Sequence, residues 1–196
     1  MTTERLTLEA KPRVAGLKGP SRRVRAQGLI PGVVYGGNSD ARAVSVEPKA
    51  LESVLRTEFG FNNVFSVKIE GESAAHLCML KERQIDPVRR AITHIDLLVV
   101  DPDREVEVRV PVKTEGRSAG ERAGGRMQIV ARDVLVRCKV KDIPSAIVHD
   151  VTNANLGDSI YIDQFTPPAG VSFVYRNRFP VLLVARKRGA TADDEK

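Results

Sequence analysis

The sequence predicts a mainly β protein with a few α-helices: a β-barrel-like N-terminal domain with two short helices, then an all-β, sandwich-like C-terminal domain. Three observations carry this expectation. Short runs of alternating apolar and polar residues recur along most of the chain. Only two segments, both near the front, read as helices. A polar, Pro-containing stretch, "DPDRE" at 101–105, separates the part with helices from a part without them. The chain has 196 residues, no Trp and few other aromatics, so its cores must be built from Val, Ile, Leu and Ala.

The elements of the first part follow in order. "ERLTLEA" (4–10) alternates Leu6 and Leu8 with polar neighbours and reads as a strand. A loop with Pro12, Gly16, Gly19 and Pro20 follows. Ser21 is placed to cap a helix, "SRRVRAQ", that stops at Gly28, with Val24 turned into the core. "PGVVYGG" is a strand ending in a Gly-Gly turn, and "RAVSVE" is its hairpin partner. Pro48 opens a second helix, "PKALESVLRTE", at the position where a missing N–H costs nothing, and Leu51, Val54 and Leu55 form its buried stripe. "NVFSVKIEG", the long extended run through "AHLCMLKERQ", and "HIDLLVV" supply three more strands. Several strands around two short helices favour a closed or nearly closed sheet, because closure removes exposed edges.

The second part alternates with great regularity. "EVEVRVPV" puts Val106, Val108, Val110 and Val112 on one face, and "DVLVRCKVK" does the same with Val134, Val136, Cys138 and Val140. "SIYI", "VSFVY" and "PVLLVAR" are further short strands between Gly- and Pro-bearing turns. The Gly-rich segment 116–126 resembles a phosphate loop but lacks the Lys-Ser/Thr ending, and reads as a mobile inter-strand loop. The expected division is 1–100, 101–188 and a disordered tail, 189–196.

Catalysis finds no footing in this sequence. Only His76, His94 and His149 are present, and His149 and Asp150 are adjacent on an extended segment, where neighbours point to opposite faces. No nucleophile elbow, Walker loop, dinucleotide fingerprint or zinc-protease pattern occurs. Cys78 and Cys138 each stand alone in an apolar alternation, which suits core residues in a reducing compartment. No apolar run reaches the roughly 18 residues of a membrane span. The expectation is a soluble cytosolic protein, not an enzyme, with no cofactor, no resident metal and no membrane partner.

Charge gives the first functional lead. Residues 1–46 hold eight Lys or Arg against three acids, so most of the net +6 lies at the front. Three arginines, Arg22, Arg23 and Arg25, fall within four positions after Lys18 and Ser21, with Arg22 and Arg25 on one helix face. Tyr35 ends an apolar run beside Gly36-Gly37, where a thin backbone admits a close partner. "KERQIDPVRR" (81–90) is a second basic cluster. His94 and Asp96, two apart on a strand, share a face. A carboxylate on a basic surface repels phosphate, but it can accept from the N–H groups of a base edge or act through an intervening metal ion, and the pair taken alone more often makes a local structural hydrogen bond.

These stretches together carry a resemblance. "KGPSRRVRAQGLIPGVVYGG", "Q-x-x-P" at Gln84–Pro87 and "HID" at 94–96 resemble the bacterial large-subunit ribosomal protein twenty-five family, in its two-domain Ctc (general stress protein) type. "GERAGG", "IPSAIVHDVT", "LGDSIYIDQF" and "PPAGV" extend the likeness through the second domain. The resemblance implies a ribosomal protein of the cytoplasm, monomeric within the large subunit, whose N-terminal domain binds 5S rRNA at its loop E region. It implies RNA contacts by Lys18, Ser21, Arg22, Arg23 and Arg25 from the loop and first helix, and by Tyr35, Gln84, His94 and Asp96 from the strands. Neighbouring ribosomal proteins and rRNA would contact the C-terminal domain, and any Mg²⁺ would belong to the RNA. Leu97 stands where the family usually has an aromatic, and Pro20 where it usually has a small residue. The competing expectation is a stress-response protein-interaction adaptor with an incidental basic surface.

Overall fold

Alternation sets the plan of the first unit. In β1 (Thr7–Pro12), Leu8 and Ala10 are buried while Thr7, Glu9 and Lys11 face out. This comes from a computed structural model that describes residues 6–16, 18–37, 39–72 and 74–186, so the predicted tail at 189–196 and the start of the first predicted strand lie outside the described residues. After β1 come α1 (Lys18–Ala26), β2 (Ile30–Gly36), β3 (Ser39–Val46), α2 (Pro48–Leu55), β4 (Val64–Ile69), β5 (Ala75–Ile85) and β6 (Ile92–Val99). The six strands pair in the order β1-β3-β2-β6-β5-β4 and close into a barrel. The pairs β1–β4 and β2–β6 are parallel, the remaining four antiparallel.

The inward faces fill the barrel with aliphatic side chains around one aromatic, Phe65, and α2 plugs it with Leu51 and Val54. Leu55 is only half-buried, and α2 ends there because Asn63 Nδ2 donates to the Val54 carbonyl (2.8 Å) and draws the chain away. Cys78 lies wholly inside, where burial pushes its thiol up to about 12, so it remains an inert protonated core residue. At Gly32 the barrel wall is thinnest: an added Cβ would stand 2.7 Å from Ile95 Cγ1 and 2.9 Å from the Ile95 carbonyl oxygen. The missing side chain lets β6 pack Ile95 against β2.

The first helix departs from expectation at its start. It begins at Lys18, so Lys18 is helical rather than part of a loop, and Ser21 lies inside the helix instead of capping it. Gly19 and Pro20 do not break it, because Pro in the first turn lacks only an N–H that would have no partner there. No residue of α1 is buried, and Val24 is half-buried on the barrel's outer surface rather than in the core. The end is as the sequence predicts. Gly28 adopts a left-handed φ of 76°, the Leu29 N–H donates to the Val24 carbonyl (3.1 Å) and the Gly28 N–H to that of Arg25 (3.0 Å).

A second compact unit begins at Glu105. Its strands are β7 (Glu105–Glu115), β8 (Arg126–Ile129), β9 (Asp133–Lys139), β10 (Ile147–Asp150), β11 (Ser159–Tyr161), β12 (Val171–Phe173) and β13 (Pro180–Ala185). They form two sheets, β10-β7-β9-β12 and β11-β13-β8. Val108, Val110 and Val112 of β7 and Val134, Val136 and Cys138 of β9 are buried. The unit is β-rich but not all β. Within the Gly-rich segment a helical turn, α3 (Ala119–Arg122), replaces the expected mobile loop. Ser118 Oγ accepts from the Glu121 N–H, and Glu121 Oε2 accepts from the Ser118 N–H, both at 3.1 Å, so the turn is locked by a reciprocal cap.

The Gly32–Ile95 contact yields a direct test. Gly32→Ala forces a methyl into a filled space bounded partly by backbone, and such overpacking costs about 1–3 kcal/mol. A lowered urea midpoint for unfolding of the full chain, followed by near-UV signals from the tyrosines, is the expected result; an unchanged midpoint would show that the barrel wall can yield here.

Candidate nucleic-acid interface

One hydrogen bond joins the arginine helix to the strands. Arg25 Nε donates to the carbonyl oxygen of Thr93 at 3.0 Å, tying the last turn of α1 to the start of β6. Thr93 in turn donates its hydroxyl to the Gln84 carbonyl on β5 (3.3 Å). Gln84 lies directly opposite His94, and Glu82 opposite Asp96. On the other side of β6, Asp96 neighbours Val33 and Leu98 neighbours Tyr35 on the parallel strand β2. Arg25, Gln84, His94, Asp96 and Tyr35 therefore belong to one continuous surface of helix and sheet.

Within that surface, the side chains of His94 and Asp96 hold each other. His94 Nδ1 stands 2.9 Å from Asp96 Oδ1, with 22% and 33% of the side chains exposed. The Nδ1–H donates to the carboxylate, which restrains the ring and leaves Nε2 available as an acceptor. The carboxylate keeps its second oxygen free to accept from another donor. Ile95 and Leu97, on the opposite face, are fully buried and anchor the strand. Leu97 is thus a packing residue.

Tyr35 sits at the edge of this group. Burial pushes its phenol above the ordinary value, and the carboxylates of Asp96 and Glu82 add to the rise. Its hydroxyl therefore keeps its proton and can donate. The neighbouring Gly36 does not offer open backbone to a partner, as the sequence suggested. A Cβ there would stand 2.9 Å from Leu98 Cδ1 and 3.0 Å from the Val99 carbonyl oxygen, so the chain itself uses the space.

The remaining basic residues stand farther out. Arg22 and Arg23 are exposed on α1, and among the described residues neither has a carboxylate partner. Lys18, in the first turn, is about 10 Å along the axis from Arg25 at 1.5 Å per residue. Ser21 is half-buried between them. The helix thus presents a row of cations rather than one cluster. Glu82 is the residue that sequence reasoning missed: an acid inside a basic stretch, delivered opposite Asp96 by an irregularity of β5. In the second unit, His149 stacks on Phe165 (ring centroids 4.3 Å apart) and burial lowers its basicity, while Asp150 accepts from the Thr152 N–H at 2.9 Å. Each has its own structural partner.

This surface pairs groups suited to phosphates with groups suited to base edges. Residues 8–97 match the ribosomal L25p family, and residues 105–188 match the C-terminal domain of ribosomal protein TL5. The large ribosomal subunit protein bL25 of Anaeromyxobacter sp. (strain Fw109-5) is 39% identical over 168 residues, covering 86% of this chain and 71% of the relative. That of Desulfatibacillum aliphaticivorans is 34% identical over 188 residues, covering 96% and 86%. That of Solidesulfovibrio magneticus is 35% identical over 188 residues, 96% of each chain. With both halves matched in order and relatives aligned over nearly its whole length, the chain belongs to the ribosomal L25p family, in the two-domain form that carries a TL5-type C-terminal domain.

Proposed function

We propose that this protein is a structural constituent of the large ribosomal subunit, that its N-terminal barrel binds 5S rRNA in the loop E region, and that its C-terminal unit contacts neighbouring ribosomal proteins or rRNA. The observation that carries the reading is the Arg25–Thr93 hydrogen bond. It holds a row of guanidinium groups against the strand that bears His94 and Asp96, so that cations and hydrogen-bonding groups address one ligand together.

The division of labour follows from charge. Lys18, Arg22, Arg23 and Arg25 neutralise phosphates, which gives affinity and orientation without reading sequence. Asp96 cannot face a phosphate, but its free oxygen accepts from a base amino or imino group, and His94 keeps that oxygen aimed. Gln84 and Tyr35 add neutral donors and acceptors. Regular A-form RNA hides its base edges in a deep, narrow groove, so side chains of this kind suit an irregular helix whose groove is opened. Ser21, inside α1, supports the helix face and has a hydroxyl within reach of a phosphate laid along it.

Two measurements test the assignment. Arg22→Ala or Arg25→Ala should weaken binding of the full chain to a 5S rRNA fragment, and should reduce the slope of log K against log salt by about one for each phosphate left without its cation. An unaltered slope would remove that arginine from the phosphate-binding set. Asp96→Ala should instead erode discrimination between the natural fragment and a base-swapped one by about 1–3 kcal/mol, while changing the salt slope little. Discrimination that survived Asp96→Ala would mean that the base reading lies elsewhere.

A further inference from the structure

The β5–β6 hairpin has a second face that the RNA surface does not use. Arg83 pairs with Ile95 and Ile85 with Ile92, both on the side of the ribbon opposite Gln84 and His94. Together with α2 and the turn after it, this side forms an open cleft of about 500 Å³. Leu55, Phe61, Ile85 and Ile92 line its floor. Phe61 and Ile85 remain 45% and 44% exposed, a large apolar surface for a unit whose core is otherwise closed.

Arginines surround this floor. Arg56, Arg83 and Arg90 form the rim, and Glu52, already 3.8 Å from Arg56, is the one acid among the lining residues. Among the described residues no carboxylate pairs with Arg83 or Arg90. Arg83 lies flat on Phe61, its guanidinium carbon 3.6 Å from the ring centroid, and burial lowers its basicity. Arg90 is held in a left-handed turn (φ 55°), its N–H donating to the Asp86 carbonyl at 2.8 Å. The Asp86 carboxylate accepts from the Val88 and Arg89 N–H groups at 2.8 and 3.0 Å, which stiffens the loop that carries Arg90. One guanidinium, that of Arg83, is thus laid beside the apolar floor, and a second, that of Arg90, starts from a stiffened loop at its edge.

We propose that this cleft is a protein-docking site that takes a segment of a neighbouring protein in which apolar side chains are flanked by carboxylates. Charge complementarity names the sign of the partner, since three guanidinium groups face a single, already paired acid. Arg forks favour planar carboxylates held by two hydrogen bonds. The floor names its class. Arg83 covers one face of Phe61, and the other apolar lining residues, Leu55, Ile85 and Ile92, are aliphatic side chains that suit Leu, Ile or Val better than a stacked base. The inference stands apart from the 5S rRNA reading, because it concerns the other side of the ribbon.

The test uses the full chain with labelled methyl groups, titrated with three probes: a blocked Asp-Leu-Asp-Leu-Asp peptide, its Lys-Leu-Lys-Leu-Lys counterpart, and a uridine hexanucleotide. The acidic peptide should shift the Leu55, Ile85 and Ile92 methyl signals saturably, and the basic one should not. Arg83→Gln combined with Arg90→Gly should weaken the acidic peptide about tenfold, because it removes two partly exposed charge pairs. Arg90→Gly alone, which keeps the left-handed turn without strain, should cost about threefold, and it carries the test if the double variant does not fold. Failure of every probe to move these methyls, shifts indifferent to the variants, or a hexanucleotide that binds the cleft as tightly as the acidic peptide would each overturn the proposal. Binding of a 5S rRNA fragment to the same variants reads the other face separately.

Discussion

Strands β2 and β6 run parallel and lie far apart in sequence, and a parallel pair cannot be joined by a tight turn. The connection between them runs through β3, α2, β4 and β5. Their register places Gly32 against Ile95 and Val33 beside Asp96, and the absent side chain at Gly32 allows the approach. Because α1 leads directly into β2 through the left-handed Gly28, the same pairing carries the arginines to the end of β6, where Arg25 meets the Thr93 carbonyl. The interface is therefore a product of one long-range strand pairing, and neither half of it exists without the other.

The energetics of the surface suit recognition better than stability. The His94–Asp96 pair is partly exposed, and pairs of that kind contribute little to folding. Arg22 and Arg23 contribute nothing visible to packing. These residues leave donors, acceptors and charge facing outward, while the opposite sides of the same strands hold Ile95, Leu97 and Leu80 in the core. Folding free energy comes from the inward face, which leaves the outward one to the recognition proposed for it.

Much of this is legible in the sequence, and the failures have physical causes. Period-two alternation locates the strands of the first unit and most of those of the second, missing the short β8 and β10, and the glycine that ends α1 is readable because a left-handed cap needs a residue without Cβ. The start of α1 is hidden because Gly19 and Pro20 look like breakers, although a helix tolerates both within its first turn. The turn at Ala119–Arg122 escapes notice although its signal is present: Ser118 and Glu121 stand at the capping-box spacing. Gly-rich surroundings mask it. Closure into a barrel follows from the need to cover edges, but the strand order is not readable, since alternation identifies faces and not neighbours.

Glu82 shows a deeper limit. Strict alternation from the buried Leu80 carries Glu82 and Gln84 to the inside and Arg83 to the outside. The register instead shifts between Leu80 and Glu82, so that Lys81 is the extra residue and every position after it changes face. A second shift, near Gln84, lets Ile92 join Ile85 on the cleft side while His94 stays outward. Bulges leave no reliable mark in a single sequence, yet this pair sorts the hairpin's charges. They put Glu82, Gln84, His94 and Asp96 on one side and Arg83 with its apolar neighbours on the other. Were Lys81 paired instead of bulged, the register running on from Leu80–Leu97 would set its ammonium opposite Asp96 and turn Glu82 to the other face. The bulge at Lys81 thus keeps a cation out of the position opposite Asp96, which the role proposed for that carboxylate requires.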